Sequence, residues 1–145
     1  MRFDFENLRL PGLNEIINLA KTQRRKFSPY AARKREIDTY LICSIRSQLR
    51  QSDSAGFKIG PQSNFEFVWS CGDRRTDPDN RTAGQKFIFD ALVAAEVLPN
   101  DGYQYVNSIT HRFRYDVDWG VSVEISSCAD PGFPPLRVDL RKRAH

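Results

Sequence analysis

Residues 64–97, NFEFVWSCGDRRTDPDNRTAGQKFIFDALVAAEV, contain the pattern from which the fold is predicted. Aromatic residues occupy alternate positions from residue 65 to residue 69, which is typical of a half-buried strand. From residue 80 to residue 97, apolar residues recur at helical spacing and cover more than one side of the helix. A helix of this kind is expected to be buried on more than one side. The segment therefore predicts a strand, a turn and a helix.

The chain before this unit predicts one strand and a long helical stretch. Phe3 and Phe5 alternate in a short strand, and residues 13–26 carry apolar residues at helical spacing. Ser28 is a favourable N-cap and Pro29 a favourable first-turn residue, so a helix is expected to restart there. Its apolar stripe follows i, i+4 spacing and consists of Ile37, Leu41, Ile45 and Leu49.

The chain after the unit predicts two more strands, over residues 103–115 and around Val121, Val123 and Ile125. The sequence therefore predicts an α/β (α+β) fold: a small mixed β-sheet of about four strands with two main helices, in the order β-α-β-α-β-β. We expect one domain over residues 1–128, followed by a basic tail over residues 129–145 that contains prolines.

Composition is that of a soluble globular domain, with 145 residues, 40% of them hydrophobic and 28% charged. Four of the first ten residues are charged, and no apolar run approaches the roughly 20 residues that span a bilayer. Neither a signal peptide nor a membrane partner is expected. The three cysteines form no CxxC pair, which argues against a zinc knuckle or a disulfide framework and favours the cytoplasm.

Basic residues are concentrated in two runs within a chain of net charge +4. The first run contains Lys21, Arg24, Arg25, Lys26, Arg33, Lys34 and Arg35, and the second contains Arg137, Arg141, Lys142 and Arg143. A solvated helix face and a solubilising tail would explain either run alone. Two runs on either side of a cluster of acids favour a nucleic-acid partner.

Carboxylates stand at both ends of the helix predicted over residues 80–97. Asp77 and Asp79 precede it and Asp101 follows it, while Lys86 and Asp90 lie within it. Magnesium prefers oxygen ligands and often takes one or two protein carboxylates together with phosphate oxygens. Two such ions can activate water and stabilise the leaving oxygen in phosphodiester hydrolysis. A lysine nearby would offset the charge of the reacting phosphate.

Simpler explanations of these residues stay open. Aspartate, proline and asparagine are favourable at helix starts, so capping and catalysis are about equally supported for residues 77–80. Lys86 and Asp90 are i, i+4 neighbours and would form a surface ion pair worth at most about 1 kcal/mol. A calcium loop beginning at Asp77 is excluded, because Thr82 and Ile88 stand where it needs glycine and glutamate.

One family shares the whole pattern, which consists of Gly12-Leu13-Asn14-Glu15, Asp77, Asp79, Asn80, Lys86, Asp90-Ala91-Leu92 and Asn100-Asp101. In this order the residues resemble the RusA-type Holliday-junction resolvases, small endonucleases common in phages and prophages. The resemblance covers about residues 8–127. The combined motif is specific, whereas each of its parts alone is weak.

The resemblance implies a homodimer that binds four-way DNA junctions and nicks two strands symmetrically with Mg2+ or Mn2+ and no small-molecule cofactor. Asp77, Asp79 and Asp101 would be the metal ligands, and Lys86 the cation that contacts the phosphate. Asn100 departs from the family pattern, which often has an acid there, and Arg74 and Arg75 are out of register. The DNA-binding residues would be Arg24, Arg25, Lys26, Arg33, Lys34, Arg35, Arg74, Arg75 and Asn80.

Two other functions fit the same residues: a nuclease for other branched or flap DNA, and a branched-DNA-binding module that does not cleave. Symmetric nicking needs two equivalent sites, which predicts a two-fold dimer. Phe89 and Val93, from the second apolar strip of the helix, are the predicted interface residues. The alternative is that both pack inside the protomer under the long N-terminal helix.

Overall fold

A computed structural model describes residues 1–22 and 28–127, which form a mixed α+β fold. The elements in chain order are β1 (Arg2–Glu6), α1 (Leu13–Lys21), α2 (Pro29–Gln51), β2 (Ser63–Cys71), α3 (Pro78–Thr82), α4 (Gln85–Ala94), β3 (Val106–Tyr115) and β4 (Gly120–Ser127). The predicted mixed four-stranded sheet is confirmed. The predicted helix order differs in detail, because each of the two main helical stretches is divided into two helices.

The sheet has the strand order β1-β4-β2-β3. Strand β4 is antiparallel to both β1 and β2, whereas β2 and β3 are parallel. Parallel neighbours need a crossover connection, and residues 72–105, which include α3 and α4, make it. This crossover contains all the predicted metal ligands and the predicted catalytic lysine.

One face of the sheet packs against the helices. Alternate strand residues Phe3, Phe65, Phe67 and Val123 are almost fully buried there. The predicted stripe of α2 is buried as expected and consists of Ile37, Leu41, Ile45 and Leu49. Helix α4 contributes Phe87, Ile88, Phe89, Ala91 and Leu92. The predicted N-cap of α2 is also confirmed, because the Ser28 hydroxyl accepts a hydrogen bond from the backbone N–H of Ala31 at 3.2 Å.

The prediction of one continuous helix over residues 80–97 was wrong. The helix is interrupted at Ala83 and Gly84, between α3 and α4. Gly84 lies so close to the core that a Cβ atom there would be 3.0 Å from Leu10 Cβ and 3.3 Å from the Trp69 ring. This contact with the sheet is tertiary, and the apolar periodicity of the sequence did not predict the interruption.

Two other boundaries also differ from the prediction. Strand β3 begins at Val106 rather than at residue 103, because the backbone N–H groups of Tyr105 and Val106 both donate to the carbonyl of Gly102 and form a turn. Helix α1 ends at Lys21, and residues 23–27 lie outside the described part of the chain, as do residues 128–145 with the predicted tail. No helix in the described residues is long and apolar enough to cross a membrane.

Candidate functional site

Helix α3 presents two predicted site residues, Asp77 and Asp79, at its start. Asp77 is the N-cap residue, but its side chain makes no capping hydrogen bond. Asp79 follows in the first turn, and both side chains are exposed. Within the described residues, neither carboxylate has a hydrogen-bond or ion-pair partner. Capping therefore does not account for either side chain.

The next residue, Asn80, connects α3 to the start of α1. Its Oδ1 atom accepts a hydrogen bond from the backbone N–H of Asn14 at 2.9 Å. A Cβ atom at Gly12 would lie 3.0 Å from this oxygen, so a glycine lets the two segments approach. Asn80 was predicted to contact DNA, but its amide oxygen is used inside the chain, where it caps a helix of another segment.

Arg81 makes the second connection of α3, and it was not among the predicted site residues. Its side chain is only 3% exposed, and Nη1 donates to the carbonyl of Leu10 at 2.7 Å. Nη2 lies 3.5 Å from Glu15 Oε1, and the guanidinium lies 5.5 Å from the centre of the Trp119 ring. Burial, and then the charge of Arg9, lower the pKa of Arg81. The side chain thus holds α3 against the segment between β1 and α1 and against the turn before β4.

Lys86 connects α4 to the loop that follows it. Its ammonium nitrogen lies 3.0 Å from Asp90 Oδ1 and 3.4 Å from Asp101 Oδ2. The hydrogen bond to Asp90 is the main cause that raises the pKa of Lys86, and the charge of Asp101 adds to it. The lysine is 64% exposed, so a phosphate from solvent can reach it while both carboxylates hold its charged form.

Lys34 extends this set of alternating charges to α2. Its ammonium nitrogen lies 2.9 Å from Asp38 Oδ2 and 3.6 Å from Asp90 Oδ2. The hydrogen bond to Asp38 is the largest cause that raises the pKa of Lys34, and the charge of Asp90 also contributes. Lys34 was predicted to bind DNA, but only 32% of its side chain is exposed and it is paired inside the chain.

The donor chemistry of Asp77, Asp79 and Asp101 suits magnesium, because all three supply hard carboxylate oxygens. They come from two separate parts of the crossover. Asp77 and Asp79 stand at the beginning of the crossover and Asp101 at its end. Over residues 1–22 and 28–127, no group of three or more His, Cys, Asp or Glu side chains could hold a metal ion. Joint coordination by the three carboxylates stays a prediction.

The predicted DNA-binding residues differ in their availability. Arg35 and Arg75 are exposed. Arg33 pairs with Glu36 at 3.2 Å, and Arg74 pairs with Asp116 at 2.8 Å. Both pairs are exposed, and such pairs contribute little to stability, so phosphates can compete for these arginines. Three predicted residues, Arg24, Arg25 and Lys26, lie outside the described part of the chain.

The two predicted interface residues have different positions. Phe89 is 5% exposed and packs inside the protomer, with its ring centre 5.0 Å from that of Phe65 and 5.7 Å from that of Phe67. This packing accounts for its apolar character without a partner chain. Val93 is half-buried at the edge of the core. A cavity of about 230 Å³, with Phe89 in one wall, opens beside Lys86 and Asp101.

Comparison of the sequence with protein-family models and with curated proteins finds no match. The resemblance to the RusA-type resolvases therefore stays a prediction that rests on the motif residues themselves.

Proposed function

We propose that this chain is a metal-dependent, structure-selective endodeoxyribonuclease that resolves four-way DNA junctions by paired symmetric nicks. The net charge of the chain, +4 overall, favours a polyanionic substrate. Exposed carboxylates and a lysine within one crossover connection support phosphodiester hydrolysis as the reaction. The junction as preferred substrate comes from the resemblance to the RusA-type resolvases.

The contact between Lys86 and Asp101 is the single observation that supports the proposal best. These residues are 15 positions apart, yet Nζ and Oδ2 are 3.4 Å apart. The lysine predicted to contact the phosphate thus meets an acid that the same motif predicts as a metal ligand. Both side chains are exposed, Lys86 by 64% and Asp101 by 43%, which keeps them accessible to a large substrate such as DNA.

Each residue has a distinct proposed task. Magnesium or manganese, when bound, would supply Lewis-acid activation of the phosphate and of the attacking water. Asp77, Asp79 and Asp101 contribute the negative charge that attracts the ion. Lys86 offsets charge on the phosphate as it develops in the transition state. Arg35 and Arg75 neutralise backbone phosphates away from the scissile bond, which contributes affinity without sequence preference.

A cleavage assay with three DNA substrates tests the proposal. A synthetic four-way junction, a Y-fork and a linear duplex of the same sequences are incubated with and without magnesium. We expect paired nicks in the junction, dependent on magnesium, and little cleavage of the duplex. Equal cleavage of junction and fork would favour the broader branched-DNA nuclease. Tight junction binding without any cleavage, under magnesium or manganese, would favour the non-cleaving module.

A further inference from the structure

Asp90 differs from the other acids of the crossover because both of its carboxylate oxygens meet a lysine. Oδ1 lies 3.0 Å from Lys86 Nζ, and Oδ2 lies 3.6 Å from Lys34 Nζ. Only 27% of the Asp90 side chain is exposed, against 64% for Lys86. The partly buried Asp90 carboxylate thus lies between the exposed Lys86 on its own helix and Lys34 of α2.

We propose that Asp90 is a positioning residue that holds the Lys86 ammonium where it can contact the reacting phosphate. Lys34 in turn holds the Asp90 carboxylate in position. The inference rests on the proposed function, since it assigns Lys86 to the reacting phosphate. Asp90 itself is not expected to touch the substrate.

Helix stability alone does not explain the pair between Lys86 and Asp90. An i, i+4 ion pair stabilises a helix best when the acid precedes the base, and here the base comes first. Lys86 is the second residue of α4, where the positive end of the helix dipole disfavours a cation. The Asp90 carboxylate therefore offsets the unfavourable position of the Lys86 charge at the start of the helix. A neutral residue at position 86 would not need this compensation.

The flexible lysine stem makes such an anchor useful. A lysine side chain carries about 2 kcal/mol of rotamer entropy, so a free ammonium samples many positions. A carboxylate restricts it only if the carboxylate is itself held. Asp90 meets this condition, because Lys34 approaches its second oxygen and is in turn held by Asp38 at 2.9 Å.

The two acids that meet Lys86 are proposed to have different roles. Asp101 is 43% exposed and lies in the loop after α4, and its carboxylate has Lys86 as its ion-pair partner in the described residues. A DNA phosphate that arrives at Lys86 therefore competes with a less restrained contact at Asp101 than at Asp90. Lys86 is expected to exchange Asp101 for the phosphate while it keeps Asp90.

Two measurements on the full chain test the inference. The first follows the ¹H–¹⁵N signal of the Lys86 ammonium by NMR, with Lys86→Arg used to assign it. Asp90→Asn is expected to broaden or remove this signal, Asp90→Glu to retain it, and Lys34→Met to weaken it. Asp4→Asn is the matched control, because it breaks the exposed pair with Arg2 on β1 without contact to Lys86.

The second measurement is junction cleavage under saturating magnesium. Misplacement of a reacting group by about 1 Å can cost about 10²-fold in rate, so Asp90→Asn is expected to lower kcat by about 10–100-fold while KM changes by less than about threefold. Asp90→Glu should recover most of the rate, and Asp4→Asn should match the wild type. A structural defect alone would not give a loss in kcat that the longer acid restores.

The outcomes separate this inference from the proposed function. An unchanged Lys86 signal in folded Asp90→Asn would overturn the positioning role, and so would a wild-type kcat in that variant. If the wild type cleaves no DNA, the proposed function fails, while the NMR comparison still decides whether Asp90 restrains Lys86. If Asp90→Asn does not fold, Lys34→Met decides the matter, because it removes the anchor and leaves Asp90 in place.

Discussion

At the scale of single residues, Asp79 and Lys86 are expected to fail in different ways when they are replaced. Asp79→Asn removes a proposed metal ligand and also a negative charge near DNA phosphates. We expect it to abolish cleavage while junction binding is kept or strengthened. Lys86→Ala should lower kcat more than affinity, because its main contribution is to transition-state charge. Cleavage assays and binding titrations on the same junction measure both effects.

Asp53→Asn is a suitable control for this experiment. It makes the same charge change directly after α2, outside the crossover residues 72–105, and asparagine tolerates the positive φ of 54° at that position. We expect unchanged cleavage in this variant. Asp79→Asn protein that nicks junctions at the wild-type rate would eliminate Asp79 as an essential ligand.

Asn80 is expected to act on stability rather than on DNA. Asn80→Ala leaves the Asn14 N–H without its cap, which should cost about 1 kcal/mol of the free energy of unfolding. Asn80→Asp keeps an acceptor and should keep most of that stability. Ser28→Ala removes the N-cap hydrogen bond of α2, and its loss of stability serves as the comparison for losing a helix cap. Denaturant unfolding measures all three variants. Normal stability of Asn80→Ala together with weaker junction binding would restore the DNA-contact assignment.

Single residues were predictable where their chemistry is local. Asp77, Asp79 and Lys86 were selected from spacing and residue type, and all three side chains are exposed within the crossover. Arg81 was not selected, because an arginine after a helix start gives no local sign of burial. Its position depends on the Leu10 carbonyl, 71 residues away. The pairing of Lys34 with Asp90 also joins separate helices and could not be predicted from the sequence.

At the scale of elements, the interruption between α3 and α4 gives a stability prediction for Gly84→Ala. Gly84 already has helical φ and ψ, so alanine gains about 0.4–1 kcal/mol by restricting the unfolded chain. Its Cβ would meet Leu10 Cβ at 3.0 Å and the Trp69 ring at 3.3 Å, and overpacking of a core costs about 1–3 kcal/mol. Overpacking should therefore prevail, with a net loss of about 1 kcal/mol in the free energy of unfolding.

Gly56→Ala is the matched control, because no atom lies within 4 Å of a Cβ at that position and its φ is not positive. It should be neutral or stabilise the fold by about 0.4–1 kcal/mol through the unfolded chain. Urea unfolding curves of both variants decide the comparison. A stability gain for Gly84→Ala similar to that of Gly56→Ala would mean that Leu10 and Trp69 move aside at little cost.

The pairing of β2 with β3 predicts a dependence of stability on pH. Trp69 Nε1 donates to His111 Nδ1 at 2.9 Å, which requires a neutral acceptor nitrogen. Burial lowers the pKa of His111 below its ordinary value. The unfolded chain therefore takes up the proton first as pH falls, and stability decreases from about pH 6.5 downward. The contribution of neutral His111 to the free energy of unfolding is fully present above that pH.

His111→Gln should flatten this decrease, because glutamine offers an acceptor that does not titrate. Urea midpoints between about pH 5 and pH 8 measure the difference. An equal slope in wild type and His111→Gln over this range would assign the dependence to other groups.

Element types were more predictable than element limits. Alternation gave β1, β2 and β4, and the stripe of α2 was buried as expected. The limits that differed depend on contacts outside the local sequence. Gly84 meets the core, and the start of β3 is set by the turn at Gly102. The parallel pairing of β2 with β3 is likewise a property of the sheet rather than of either strand.

At the scale of the whole molecule, we expect a two-fold dimer that holds two equivalent sites on one junction. Local periodicity could not define its interface, because the same apolar residue serves a core or a partner equally well. Phe89 is used in the protomer core, which leaves Val93 as the predicted interface residue to test. Sedimentation of Val93→Glu should show dissociation, whereas Ile17→Glu, at an exposed position of α1, should not.

Junction binding by the dimer should weaken steeply with salt, because each neutralised phosphate releases counterions. A protein that makes about six phosphate contacts loses about 10³-fold in affinity between about 50 and 200 mM salt. Arg35→Gln and Arg75→Gln should each make the slope of log K against log salt less steep, by the amount expected for the loss of nearly one phosphate contact. Arg46→Gln, exposed on α2 outside the predicted set, should leave the slope unchanged.

A chain that sediments as a monomer at micromolar concentration, and still as a monomer on junction DNA, would exclude paired symmetric nicking. The carboxylates and Lys86 would then serve a nuclease that makes single cuts in branched DNA, because the sequence contains one copy of the proposed site motif.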